Sequence, residues 1–227
     1  MKRRLPASLH SVTSLALCLG IALLTSGCIP PSMATKADSN PMLKVAHSED
    51  PESASRRTKD MADWVVTSKD NRNKPFAIVD KVNAKVHVYT ADGKSYGEAP
   101  VLLGLAKGDH SVPGIGDKSF AQITPMERTT PAGRFEAIMG LNHKGNEILW
   151  LDYEQALSMH AVIQGTPLER RAERLASPTP LDNRISYGCI NVPVPYFQNV
   201  IQGNFAASGG IVYVLPETTQ FSPVPKT

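Results

Sequence analysis

The spacing of apolar and polar positions changes period several times along the chain. FAIVD (76–80) reads as a strand. AKVHVYT (84–90) alternates, with Val86, Val88 and Thr90 on one face and Lys85, His87 and Tyr89 on the other. Lys81–Asn83 joins these two as a tight turn. ADGKS carries an Asp-Gly turn signal before a third strand, EAPVLLG (98–104). The chain therefore opens as a β-meander. RFEAIMG (134–140), EILWLDY (147–153) and GIVYVLP (210–216) read as further strands, and YEQALSM as a short helix or a loop leading to His160. Two helices are predicted. In 166–176, Thr166 is placed to cap, Pro167 suits the first turn, Glu169 completes a capping box, and Leu168, Ala172 and Leu175 share a face. The second, 195–202, stops at Gly203. Six or seven strands with two short helices predict a mainly β (α+β) domain over 63–217. The Gly- and Pro-rich stretch 105–133 is a long internal connection, of the kind that is functional or mobile.

The ends lack this periodicity. MKRR precedes LALCLGIALL, an apolar run of ten residues. A resident membrane helix needs about 20, so the run has the length of a secretory h-region. LLTSGC then resembles a bacterial lipobox. Residues 1–27 are expected to be a signal peptide and Cys28 a lipidation site; ordinary secretory cleavage nearby is the alternative. Ile29, where an Asp would retain a lipoprotein in the inner membrane, resembles an outer-membrane destination in a Gram-negative host. Residues 28–62, rich in Pro, Ser, Ala and charge, read as a lipid-anchored flexible tether. Residues 218–227 read as a loose tail.

Composition narrows the class. Setting aside Lys2, Arg3 and Arg4 of the leader leaves 21 Lys+Arg against 21 Asp+Glu. A neutral remainder excludes a nucleic-acid surface, which would keep a basic face. Of three cysteines, Cys18 leaves with the leader and Cys28 carries lipid. Cys189 remains as a lone thiol in an oxidising compartment, either buried and inert or kept for its reactivity. No His/Cys/Asp cluster has zinc-ligand spacing, and neither a metal nor a cofactor is expected.

Cysteine attacks as thiolate, and an ordinary thiol, with a pKa of about 8.5, is mostly protonated at neutral pH. A neighbouring imidazole supplies the minimum activation. The folded part offers His87, His110, His143 and His160, and sequence alone does not rank their distances to Cys189. A glycine at 188 lets the backbone turn sharply beside the sulfur, where amide N–H groups can stabilise an oxyanion.

MHAVIQGT followed by RISYGCINV is similar to the L,D-transpeptidase (YkuD-like) catalytic domain, whose motif is a His, a variable segment, then Ser/Thr-His-Gly-Cys-x-Asn/Arg. TTPAGRFEA (129–137) resembles its Thr-Pro-x-Gly-x-Phe segment, and the likeness spans roughly 75–216. The resemblance implies a β-sandwich enzyme of peptidoglycan stem peptides. It casts Cys189 as nucleophile, His160 as base and then acid, and the Ala161 carbonyl as orienter of the imidazole. Gly188 and Cys189 would supply oxyanion amides, while Arg184, Ser186, Tyr187 and Asn191 would line the site. The thioester would pass to an amine or to water. Hydrolytic carboxypeptidase, protein–peptidoglycan amidase and non-catalytic cell-wall binder are the alternatives. The expected state is a monomer, membrane-bound through its lipid. Two departures from the motif stand out. Tyr187 replaces the family's second His, and 25 residues separate His160 from Ser186, longer than usual. The 166–176 helix fits that insertion as a flap. Arg134 reads as a strand-edge charge and Trp150 as core.

Overall fold

The structure is a computed structural model that describes residues 51–220. The expected signal peptide, the lipidated Cys28, residues 28–50 of the tether and residues 221–227 of the tail lie outside the described residues. The chain is mainly β with short helices. The described residues form ten strands: β1 (Phe76–Asp80), β2 (Lys85–Tyr89), β3 (Ser95–Pro100), β4 (Leu103–Gly104), β5 (Gly133–Leu141), β6 (Glu147–Asp152), β7 (Leu157–Ala161), β8 (Arg184–Ser186), β9 (Ile190–Val192) and β10 (Gly210–Val214). Eight make one sheet in the order β3-β2-β1-β10-β5-β6-β7-β9, and β4 pairs with β8. Within the large sheet β1∥β10 and β7∥β9 are parallel and the other pairs antiparallel.

The sheet folds back on itself. Just beyond β3, at one edge, Leu102 exchanges two backbone hydrogen bonds with Asn191 of β9, at the other edge (2.8 and 2.9 Å). One apolar core fills the space between, running from Val86 and Val88 of β2 through Phe135 and Leu149 to Met159, Ile190 and Val192. The β2 alternation read from sequence holds, because Val86 and Val88 point into this core and Lys85, His87 and Tyr89 do not.

A helical segment completes the core. α3 (Val194–Tyr196), counted after α1 and α2 below, continues as a π-helical stretch (Phe197–Gln202) into α4 (Gly203–Phe205). Phe197, Ile201 and Phe205 are buried at i, i+4 and i+8. The predicted stop at Gly203 is therefore overrun, since Phe205 needs the extra turn to reach the core.

α1 (Pro51–Ser68) corrects the predicted tether 28–62: its last twelve residues are helical. Arg57, Met61 and Val65 lie on one stripe and are buried. The stripe packs with Phe76, Ile78, Ile211 and Tyr213, on the outer face of β1 and β10. Arg57 covers apolar surface with its stem, and its guanidinium donates to the Pro216 carbonyl at 2.7 Å. β1 and β10 are consequently buried on both faces, which is why FAIVD and GIVYV are nearly all apolar. Arg134 closes the helix end through Asp70 (2.6 Å), whose carboxylate also takes the Tyr213 hydroxyl at 2.5 Å.

Two further expectations change. The segment read as one helix over 166–176 is a 3-10 turn (Pro167–Glu169), a left-handed Arg170, then α2 (Arg171–Ala176). The Thr166 side chain makes no cap bond, and Leu168 stands 91% exposed instead of on a packed face. The tail is not loose at its start: the amides of Glu217, Thr218 and Thr219 all bond the buried carboxylate of Asp109.

Candidate active site

β7 and β9 run parallel, and their register sets His160 opposite Asn191. Cys189 immediately precedes β9. Two residues 29 positions apart in sequence thereby meet, because the parallel pairing carries both to one end of the sheet. His160 and Cys189 act electrostatically on one another, and His160 Nδ1 donates to the Ala161 carbonyl at 2.8 Å. That bond fixes the proton on Nδ1, facing the orienting carbonyl, and leaves Nε2 on the opposite side of the ring, where Asn191 Nδ2 stands at 3.3 Å. Cys189 is a free, half-buried thiol. The Ser158 hydroxyl donates to its Sγ at 3.5 Å, and the Ala156 carbonyl lies at 3.5 Å. The other three histidines of the folded part lie elsewhere. His87 faces Glu98 across β2 and β3 (3.4 Å), the His110 carbonyl takes the Thr129 hydroxyl, and His143 sits in the β5–β6 turn.

The loop before Cys189 is held by hydrogen bonds to its own polar groups. Gly188 has φ +131°, and a Cβ there would stand 2.7 Å from the Thr129 carbonyl oxygen, so only glycine fits. Ser186 Oγ donates to the Cys189 carbonyl (2.6 Å) and accepts from the Gly188 N–H (3.1 Å). This corrects the expected oxyanion role of the Gly188 amide, which is already spent. The Cys189 N–H has no hydrogen-bond partner among the described residues and stays available. Gly188 contributes conformation instead, and its carbonyl is fixed by the Thr130 hydroxyl at 2.7 Å. The same hydroxyl accepts the Gly104 N–H at 2.8 Å, so one fully buried threonine joins β4, the 105–133 connection and the Cys189 loop.

Asn191 is buried and its orientation is determined. Arg171 Nη1 donates to Asn191 Oδ1 at 2.8 Å, so Nδ2 faces His160 Nε2 (3.3 Å) and the Cys189 carbonyl (3.4 Å). Arg171, buried on α2, is held in turn by Glu169 at 2.6 Å. A relay thus runs from Glu169 through Arg171 and Asn191 to His160. Sequence reasoning placed Asn191 but missed Thr130, Ser158 and Arg171. Thr130 lies inside the quoted TTPAGRF segment. Ser158 stands two residues before His160 on the same strand face, a period-2 signal that was present. Nothing in the sequence pointed Arg171 inward.

Arg184 does not face the sulfur. Its guanidinium turns to Glu217 (2.5 Å) and the Lys81 carbonyl (2.9 Å), in a buried cluster where Lys81 bonds Asp109 at 2.7 Å. The strand alternation of β8 sends 184 and 186 inward together, and the only acid met there by Arg184 among the described residues is Glu217. Tyr187 lies half-buried between two neighbours from the long connection, the Phe120 ring (centroids 4.9 Å apart) and the Arg128 guanidinium (3.9 Å above its face).

Electrostatics favour the ion pair. Burial alone would push the Cys189 thiol up, but the hydrogen bond and charge of His160, with Ser158 donors, bring it below the ordinary value. Burial likewise works to lower His160, yet its bond to Cys189, the thiolate charge and the Ala161 carbonyl raise it, against the opposing charge of Arg171. The two titrate as a coupled pair whose charged form is a thiolate–imidazolium. A thiolate with a proton-bearing imidazole at its side can attack an acyl carbon and protonate a leaving amine. Among the described residues no group of three His, Cys, Asp or Glu side chains could hold a metal.

No protein-family model matches the chain, and no curated protein does. Among solved structures, the helical cell shape determining protein Pgp2 from Campylobacter jejuni shares 15% identity over 70% of this chain and 56% of that one, at a TM-score of 0.42. The LD transpeptidase LdtMt1, in a complex with imipenem, shares 11% over 62% and 58%, at 0.32. Both are similarities of fold at low sequence identity, and this chain spans less than three fifths of either protein.

Proposed function

We propose that the protein is a cysteine L,D-acyltransferase of peptidoglycan stem peptides, working through a thioester on Cys189. The observation that carries this reading is the Cys189–His160–Ala161 arrangement: the parallel pairing of β7 and β9 brings the thiol and the imidazole together, and a backbone carbonyl holds the imidazole at 2.8 Å. The motif resemblance around residues 129–137 and 160–191 supports the substrate class.

In the first half-reaction the Cys189 thiolate attacks the carbonyl that follows the L-centre of the stem's diamino acid. The Cys189 N–H faces the developing oxyanion. His160 gives its Nε2 proton to the departing nitrogen, and D-alanine leaves as a free amine while the C–S bond remains. In the second, an acceptor amine attacks the thioester, His160 takes its proton, and the thiolate is expelled. Water in place of the amine makes the same site a carboxypeptidase. The anchor belongs to the same proposal: Cys28 lipidated, the domain on the periplasmic face, the outer membrane as destination.

Intact-mass measurement of the full chain with tetrapeptide stems tests it. The expected result is an acyl adduct on Cys189 with release of D-alanine, both lost in Cys189→Ala. D-Alanine release by Cys189→Ala, or no adduct on the unsubstituted chain, overturns it. The mass of the product separates cross-linked peptide from hydrolysed tripeptide.

A further inference from the structure

Arg128 is a half-buried cation with no ion-pair partner within 4 Å among the described residues. Its Nε is buried and makes no hydrogen bond, and Nη2 makes only a long contact, 3.4 Å, to the Ile123 carbonyl. The guanidinium carbon lies over the Tyr187 ring, 3.9 Å from its centroid. The Phe120 ring meets the same ring edge-on at 66°, with centroids 4.9 Å apart. Stacking on a ring engages the face of a guanidinium and not its in-plane N–H donors, which are the groups that grip a carboxylate in two parallel hydrogen bonds.

The place is beside the nucleophile. Tyr187 is two residues before Cys189, and the carbonyl of Thr129, next to Arg128, lies against Gly188. The local charge count is incomplete. Glu169 feels the charges of both Arg128 and Arg171, but its Oε2 is bonded to Arg171 Nε at 2.6 Å. Two guanidinium groups therefore share one carboxylate at the rim, and Arg128 is the one left over. A buried donor without a partner is costly in the empty protein and is satisfied when an anion arrives.

We propose that Arg128, presented by Tyr187, receives a free carboxylate of the substrate peptide next to the bond under attack, so that the site selects the free acid over its amidated form. This deepens the acyltransferase reading and rests on it for the identity of the peptide. It also gives the tyrosine a role: an aromatic platform at 187 holds the guanidinium by its face, which the family's histidine would do more weakly.

The test uses the full chain carrying Cys189→Ser, so that binding is read without turnover. A tetrapeptide stem ending in D-alanine is titrated calorimetrically as the free acid and as the C-terminal amide. With Arg128 present the acid should bind roughly 10- to 100-fold more tightly than the amide, the range of a charge-assisted hydrogen-bonded pair. In Arg128→Gln that ratio should fall to about one. Arg128→Lys, which keeps the charge but not the flat fork, should retain only part of it. Acid and amide binding equally to the Arg128 protein, including both failing to bind, overturns the proposal, as does a preference that survives Arg128→Gln. Acylation of Cys189 in the intact chain is scored separately. A preference without acylation keeps Arg128's role and removes the enzyme reading, and acylation without a preference does the reverse.

Discussion

Replacing Thr130 by valine removes one hydroxyl and should cost more than its size suggests. Thr130 is fully buried. Its Oγ1 accepts the Gly104 N–H (2.8 Å) and donates to the Gly188 carbonyl (2.7 Å). Valine has nearly the same shape, so little apolar burial is lost, but both backbone groups are orphaned in the interior. Each unsatisfied buried group costs about 1–3 kcal/mol, so the pair sums to about 2–4 kcal/mol after partial relaxation. For a domain of this size that lowers the melting temperature by roughly 4 °C or more. Thr130→Ser keeps both hydrogen bonds and loses one methyl, about 1 kcal/mol. The order is the test. Urea unfolding followed by tryptophan fluorescence should place Thr130→Val clearly below Thr130→Ser, and iodoacetamide should alkylate Cys189 with altered kinetics in the valine variant, whose Gly188 carbonyl is untethered. If serine is as damaging as valine, or more so, packing and not hydrogen bonding holds this junction, and the account of the nucleophile loop is wrong.

Three further outcomes are expected. His160→Gln removes the group that lowers the Cys189 thiol; the midpoint of the alkylation rate against pH should move up toward the ordinary thiol value of about 8.5, and an unmoved midpoint would show that the pair is not coupled. Arg171→Gln removes a charge that lowers His160 and slackens Asn191, so the His160 titration followed by NMR should move upward and acylation should slow roughly tenfold, about 1.4 kcal/mol in the barrier; an unchanged titration would refute the relay. Burial acts to raise the Asp109 carboxyl, but Lys81, Thr218 and the Glu217 amide hold it well below the carboxylate range. A depressed folded value stabilises above the unfolded value, about 3.9, and that stability is lost as pH falls through the folded one. Asp109→Asn should therefore cost about 3–5 kcal/mol at pH 7 by leaving Lys81 buried without its main partner, and should flatten the acid limb of urea midpoints measured against pH.

Local chemistry made much of this protein legible without a structure. The alternation of Val86 and Val88 set the face of β2 and the unbroken apolar runs at 76–79 and 211–215 marked strands, because period is a property of neighbouring residues; the Ser-Tyr-Gly-Cys-Ile-Asn order singled out the Cys189 loop only through its resemblance to a known motif. What failed needed distance. The 51–68 helix carries too few apolar residues to announce itself, and it becomes stable only because β1 and β10 offer an apolar outer face to Met61 and Val65. Arg184 and Arg171 are chemically alike in the sequence. The fold sends the first to Glu217 and the second to Asn191, since a guanidinium goes to the carboxylate or carbonyl that the backbone happens to place within reach. The sequence by itself set a lone thiol among the four histidines of the folded part and, through the motif resemblance, made His160 its expected partner; the parallel register of β7 and β9 decided that the two meet, and the folding of the sheet onto its own edge decided what surrounds them.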